Sequence, residues 1–286
     1  MGLTIAAIVL LSAAIHPIWN LLLKQEPDTQ LGYLGLTSVV TACGLVHSLL
    51  AGSDLWAAGA VIPLIFLSWC GQILYGTCLT ATLSRGDLSA YYPIIRASPV
   101  FIVLVGVTVL GATYSLYVLL GIAMAVAGAF LLLYRRGTHF LDDPRTLTLA
   151  LLAMSGTGIY SIADARLMET LDPQVQVFWV ESLLVPVYLM LFLQRRTHTR
   201  YEDGRSIARR TVMLVIPGVM AYASYYLILM AYQMGGEVAA VTSVRQASIP
   251  ISVMLGGFFL REGTIARRLF AATLLAAGII VIILSG

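Results

Sequence analysis

Residues 86–101 read Gly-Asp-Leu-Ser-Ala-Tyr-Tyr-Pro-Ile-Ile-Arg-Ala-Ser-Pro-Val-Phe, and the apolar run they open continues to Leu110 with Arg96 inside it. A helix that begins near Leu88 places Arg96 eight residues in, roughly 12 Å along the axis. That depth is close to the midplane of a hydrocarbon core about 30 Å thick. A lone cation there costs at least about 2.5 kcal/mol, so it is expected to face a bundle interior or a wet cavity and to mark a pathway.

The rest of the chain agrees with a membrane setting. Of its 286 residues 59% are hydrophobic and 11% charged, which leaves too little polar residue to coat a water-soluble globule. Mean hydropathy is +0.90. The formal charge of +3 implies no nucleic-acid partner, because what matters is where charges fall between spans. Cys43, Cys70 and Cys78 lie in apolar runs without metal-ligand spacing and read as helix-packing residues, so no metal or cofactor is expected. The N-terminal run MGLTIAAIVLLSAAIHPIWNLLLK lacks a basic leader region and reads as a first span.

Apolar stretches long enough to cross a bilayer fall at about 3–23, 31–51, 58–83, 88–110, 114–134, 147–168, 173–193, 211–233, 238–260 and 266–284, which predicts an all-α membrane protein of ten transmembrane helices. The odd-numbered connections hold Lys24, Arg85, Arg135, Arg136, Arg145, Arg195, Arg196, Arg200, Arg205, Arg209, Arg210, Arg261, Arg267 and Arg268, which is 14 of the 17 Lys and Arg. This asymmetry predicts that the odd connections are cytoplasmic and both termini lie outside an inner (cell) membrane. A plain topology role suffices for the arginine-rich loop 195–210, although contact with anionic headgroups is equally compatible with it.

A shift of 150 residues aligns Gly86-Asp87 with Gly236-Glu237, Ala97-Ser98 with Ala247-Ser248, Gly106 with Gly256 and Ala127-Gly128 with Ala277-Gly278. Spans 9 and 10 therefore repeat spans 4 and 5. Five spans per half is an odd number, so residues 1–137 and 138–286 are expected to form two inverted five-helix repeats of a single membrane domain. Such duplications place a binding site near the midplane, where the repeats meet.

The segments HPIWNLLLK (16–24), YSIADARL (160–167) and VRQASIPISVMLGGFFLRE (244–262), with the length and the two halves, resemble the drug/metabolite transporter superfamily, in its ten-helix EamA-type branch. The similarity covers essentially the whole chain. It implies secondary transport of small metabolites, often amino acids or their derivatives and commonly outward, through a cavity lined by spans 1, 3, 4, 6, 8 and 9. In one place the chain departs from the family pattern: Ala112 stands in the first half where Glu262 stands in the second, which favours a structural role for that acid.

The candidate substrate-binding residues start with Arg96 and Arg245, which enter the membrane from opposite faces to the same depth. They are read as fork-shaped donors for a carboxylate, sulfonate or phosphonate, against the alternative of cations neutralised permanently by an acid or by carbonyls. Pro93, Pro99 and Pro250 flank them and free backbone carbonyls for a ligand or water. His16, Trp19 and Asn20 share one face of span 1, either as a cavity wall with a titratable imidazole or as helix-packing groups. Offset by 144, His16 falls on Tyr160 and Asn20 on Asp164. Asp164 reads equally as a partner of the arginines, a proton carrier or an interfacial residue. Glu181 reads as a helix-to-helix hydrogen-bonding acid. Tyr75, Tyr91, Ser98, Tyr222, Gln246 and Ser248 complete the candidate set, as ring faces and hydrogen-bonding groups for an amphipathic ligand, against a plain packing role.

The expected function is thus secondary transport, most simply export, of small organic anions or zwitterions by alternating access, with the proton as a candidate coupling ion and a monomer or homodimer as the unit. The alternative within the same class is an exporter or flippase of multiple drugs or lipid-linked substrates. A membrane-embedded enzyme would need paired metal-binding acids or a nucleophile with its base, and the sequence offers neither. A passive channel would need rings or a filter built by an oligomer. Direct ATP drive would need another subunit, since no phosphate-binding loop motif is present.

Overall fold

The computed structural model describes residues 1–23, 26, 28–85, 88–134, 141–196, 207–251 and 265–285. Those residues are helical throughout, without a strand: α1 (Leu3–Leu23), α2 (Thr29–Ala51), a 3-10 segment (Leu55–Val61), α3 (Ile62–Arg85), α4 (Leu88–Ile95), α5 (Ser98–Thr108), α6 (Leu116–Leu133), α7 (Pro144–Leu167), α8 (Pro173–Arg196), α9 (Ile207–Gln233), α10 (Val238–Val244), a 3-10 turn (Arg245–Ala247) and α11 (Ile265–Leu284). Among the described residues eight stretches are long and apolar enough to cross a membrane, and Phe270–Leu284 adds a shorter apolar helix. The chain is therefore a multi-pass α-helical membrane protein. Lys24, Asp87, Arg135, Arg136, Arg200, Arg205, Gly256, Arg261 and Glu262, on which parts of the charge and repeat readings rest, lie outside the described residues.

Local chemistry sets the helix ends. Asp28 caps α2 by accepting from Gln30 N at 3.0 Å and Leu31 N at 3.1 Å, and Gly52 ends that helix at φ 68°, a left-handed conformation that suits glycine. Asp143 caps α7 through Arg145 N at 3.0 Å and Thr146 N at 3.2 Å. Glu237 caps α10 by accepting from Ala239 N and Ala240 N, both at 2.8 Å, and the Tyr114 hydroxyl donates to it from the 109–115 connection. Burial and that carboxylate push the Tyr114 phenol up to about 12, so it remains a donor across the physiological range.

Large apolar side chains face outward: Leu3, Leu50, Trp56, Val109, Leu116 and Phe270 are all well exposed. Small and polar residues fill the interior, among them Ala13, Ala153, Ser12, Ser68, Ser161 and Ser243. This is the arrangement of a bundle solvated by hydrocarbon, where close backbone approach replaces the hydrophobic drive between helices. Four long pairings carry it: α3 along α7, α6 along α11, α2 along α8 and α1 along α9. Glycines set the first three crossings. A Cβ on Gly156 would stand 2.6 Å from Tyr75 N and one on Gly71 2.7 Å from Tyr160 N. Gly121 and Gly278 face each other in the same way across α6 and α11, and Gly44 lies against the backbone of Phe178. The α1–α9 pair is instead joined by Ser12, whose hydroxyl donates to the Ser224 carbonyl at 2.7 Å.

Two spans read as continuous helices are interrupted. The helix expected over 88–110 is split at Arg96–Ala97, and the one expected over 238–260 tightens to a 3-10 turn at Arg245–Ala247 before continuing to 251. Proline explains both: Pro99 and Pro250 bring no N–H, so the carbonyls of Ile95 and Gln246 have no donor four residues on. Val100 N then turns to Ala97 O at 3.0 Å and leaves Arg96 O free for a tertiary partner.

Gly156→Leu is expected to force α3 off α7 and to cost about 1–3 kcal/mol, as overpacking does. The readout is a lowered unfolding midpoint in detergent, whereas Gly59→Leu, where an added Cβ meets nothing within 4 Å, leaves the midpoint unchanged.

Candidate functional site

The two helix interruptions meet. Gln246, on the 3-10 turn, donates its side-chain amide to the free carbonyl of Arg96 at 2.7 Å, and the Arg96 guanidinium donates in return to Ser248 Oγ at 2.9 Å. These bonds cross from one half of the sequence to the other and fix the height of both arginines. Each guanidinium remains under-used: the Nε of Arg96 and of Arg245 is buried without a hydrogen-bond partner among the described residues, as is Gln246 Oε1. Both arginines are nevertheless partly accessible.

His16 on α1 lies within electrostatic reach of Arg245 and Arg96. Its Nδ1 pairs with Asn20 Nδ2 at 3.2 Å, and its ring meets Trp19 edge-on at a centroid distance of 5.0 Å. Trp19 Nε1 is buried without a partner among the described residues. Tyr75 on α3 lies near Arg96, Tyr92 and Tyr33, and packs edge-on against Tyr160 of α7 at 6.2 Å. His16, Tyr75 and Tyr225 each keep part of their surface accessible, as both arginines do.

Asp164 sits beyond Arg245 and within its electrostatic reach. It is fully buried, which rules out the interfacial reading, and in place of a direct ion pair with either arginine it takes three neutral donors. Ser68 Oγ reaches Oδ1 at 2.6 Å, Gln176 Nε2 reaches the same oxygen at 2.7 Å, and the Tyr225 hydroxyl reaches Oδ2 at 2.5 Å. Gln72 extends the network by donating to Tyr225 at 3.3 Å. The carboxylate thereby joins α3, α7, α8 and α9.

The remaining candidates are scattered. Ser98 is buried at the start of α5, two residues beyond Arg96. Tyr91 is buried in a separate apolar cluster with Cys78, Ile95, Ala150 and Ala153, so the structure does not bring it to the arginines. Tyr222 is likewise apart: its hydroxyl bonds His47 Nδ1 at 2.6 Å and its ring stacks on Tyr226 at 5.8 Å. Helical phase accounts for both, since neighbouring positions on one helix point to different sides of the bundle. Glu181 forms none of the helix-to-helix hydrogen bonds expected of it among the described residues. It is buried near Asp164, Tyr225 and Tyr188. Ser68 and Gln176 carried no signal in the sequence, whereas Tyr160 is the position that pairs with His16 at the offset of 144.

Asp164→Ala orphans three buried donors at once, and leaving even one buried polar group unsatisfied costs about 1–3 kcal/mol. The expected outcome is a lower unfolding midpoint in detergent than that of Asp164→Asn, whose one amide oxygen still accepts from either Ser68 and Gln176 or Tyr225.

No family model matches the sequence, and no curated protein matches it either. The fold itself has precedent: a solved structure titled "Crystal structure of protein" superposes with a TM-score of 0.74, covering 99% of this chain and 96% of that chain at 17% sequence identity. At that identity the likeness is one of fold alone.

Proposed function

We propose that the chain is a secondary transporter of small organic anions or zwitterions, working by alternating access around a central hollow faced by Arg96 and Arg245. The observation that carries this reading is the pair of partly accessible arginines at facing helix interruptions, each with a buried Nε that has no partner among the described residues. Planar, permanently charged forks in a low-dielectric interior suit a carboxylate or related anion, which they can grip at two oxygens. The tyrosines and Trp19 along the walls suit a ligand with an apolar or aromatic body.

The same proposal takes the protein to be ten-helical, in two inverted repeats of residues 1–137 and 138–286, with both termini outside the inner membrane. The helix pairing supports it. If spans 1–5 map onto 6–10, the α1–α9 pair maps onto the α7–α3 pair, while α2–α8 and α6–α11 each map onto themselves. This is the pattern of a two-fold axis lying in the membrane plane. The interruption at Arg96 likewise has its counterpart at Arg245–Ala247. The EamA-type resemblance points to the same class of machine.

Comparing the metabolites released by overexpressing and deletion strains names a leading substrate, and its flux is then followed in proteoliposomes. Arg96→Ala and Arg245→Ala are each expected to reduce flux about 10- to 100-fold, the scale of losing a charge-assisted hydrogen bond, while the protein still inserts. Normal transport by both variants overturns the reading. Saturable uptake that is stimulated by substrate on the far side separates a carrier from a channel.

A further inference from the structure

One acid of the bundle interior stands apart among the described residues. Glu181 is 9% exposed, lies on a membrane-spanning helix and makes no hydrogen bond or ion pair among the described residues. Asp164 has three donors; Glu181 has none. The titratable groups in its reach are Asp164 on α7, Tyr225 on α9 and Tyr188 on its own helix. From α2, Tyr33 stacks on Tyr188 at 5.7 Å; α3 faces Tyr188 with Gly76; and segment 55–61 has no titratable residue. No cation lies among these neighbours. A bare carboxylate inside a membrane-spanning bundle, beside a second carboxylate, is less favourable than one that has bound a positive charge. A proton is the one cation that a single oxygen can hold without a coordination shell.

We propose, on top of the transport reading above, that Glu181 is the proton-binding group of this protein and that a proton bound there and an organic anion bound at Arg96 and Arg245 favour each other. The proton comes from water onto a Glu181 carboxyl oxygen and returns to water when the acid ionises; no other bond changes. The charges explain the coupling. With Glu181 protonated, Arg96, Arg245 and Asp164 leave the interior with one net positive charge, complementary to a monoanion. With Glu181 ionised the interior is neutral and holds the anion less well. By linkage, the anion then favours the protonated acid to the same degree, so proton and anion move together in the same direction. His16 and Asp164 suit the role less: His16 has two permanent cations as neighbours, and Asp164 is occupied by Ser68, Gln176 and Tyr225.

The test uses the full chain in lipid nanodiscs, with benzoate as the anion probe. Infrared difference spectra of the wild type are expected to contain a protonated-carboxyl C=O band that titrates away at alkaline pH. The band is absent from Glu181→Gln and present, displaced, in Glu181→Asp. Benzoate binding to the wild type weakens about tenfold as Glu181 ionises, the scale of one unit charge acting across the hollow, whereas Glu181→Gln, a mimic of the protonated acid, binds with the affinity of the acidic wild type at every pH. A wild type without the band, or a band that survives in Glu181→Gln, overturns the proton site whether or not benzoate binds. The same pH dependence in the wild type and Glu181→Gln overturns the coupling. Failure of benzoate to bind the wild type at any pH counts against the coupling through the arginine site, while the infrared band still decides the proton site separately.

Discussion

A hydrogen bond between a side chain and a broken helix holds the centre of this protein together. The amide of Gln246 takes the Arg96 carbonyl that Pro99 and the tightened turn leave free, and the Arg96 guanidinium reaches back to Ser248. Inside a membrane an unsatisfied backbone carbonyl has no water to turn to, so a helix can be interrupted only where another part of the protein completes it. Here each interruption is placed against the other. Continuous helices would direct both side chains along fixed helical rows; breaking them frees the backbone to aim two cations at one space.

The scaffold that permits this is made of small residues. Gly71 and Gly156, and Gly121 and Gly278, bring helix backbones into contact, and Gly44 does the same against α8. Close crossings at these points leave room elsewhere, because helices that touch at a glycine diverge away from it. The charged groups of the interior lie within reach of one another in turn: His16 of both arginines, Asp164 of Arg245, and Glu181 of Asp164.

Much of this was legible in the chain. The length of the apolar runs predicted a helical membrane protein, and the cost of a charge in lipid singled out Arg96 and Arg245 before any contact was known. Proline beside each arginine anticipated disturbed helices, though not that the helices would part at the arginines themselves. The offset of 144 placed His16 over Tyr160 and Asn20 over Asp164, and both members of each pair lie in the same polar region. Tyr91 lies toward the end of the bundle, near Asp142 and Asp143 at the start of α7, and Tyr222 bonds His47.

The sequence by itself determined the solvent of this protein and its expensive residues, because hydropathy and charge are properties of each residue and need no partner to be read. Only the tertiary structure decided which of them meet. In water, apolar faces point inward and polar faces outward, so periodicity reveals the core. In a bilayer, lipid and helix neighbours are equally apolar, and hydropathy loses its power to tell inside from outside. Glycine crossings a few atoms wide decide the rotation of each helix instead, and with it whether Asp164 gathers three donors and Glu181, among the described residues, none.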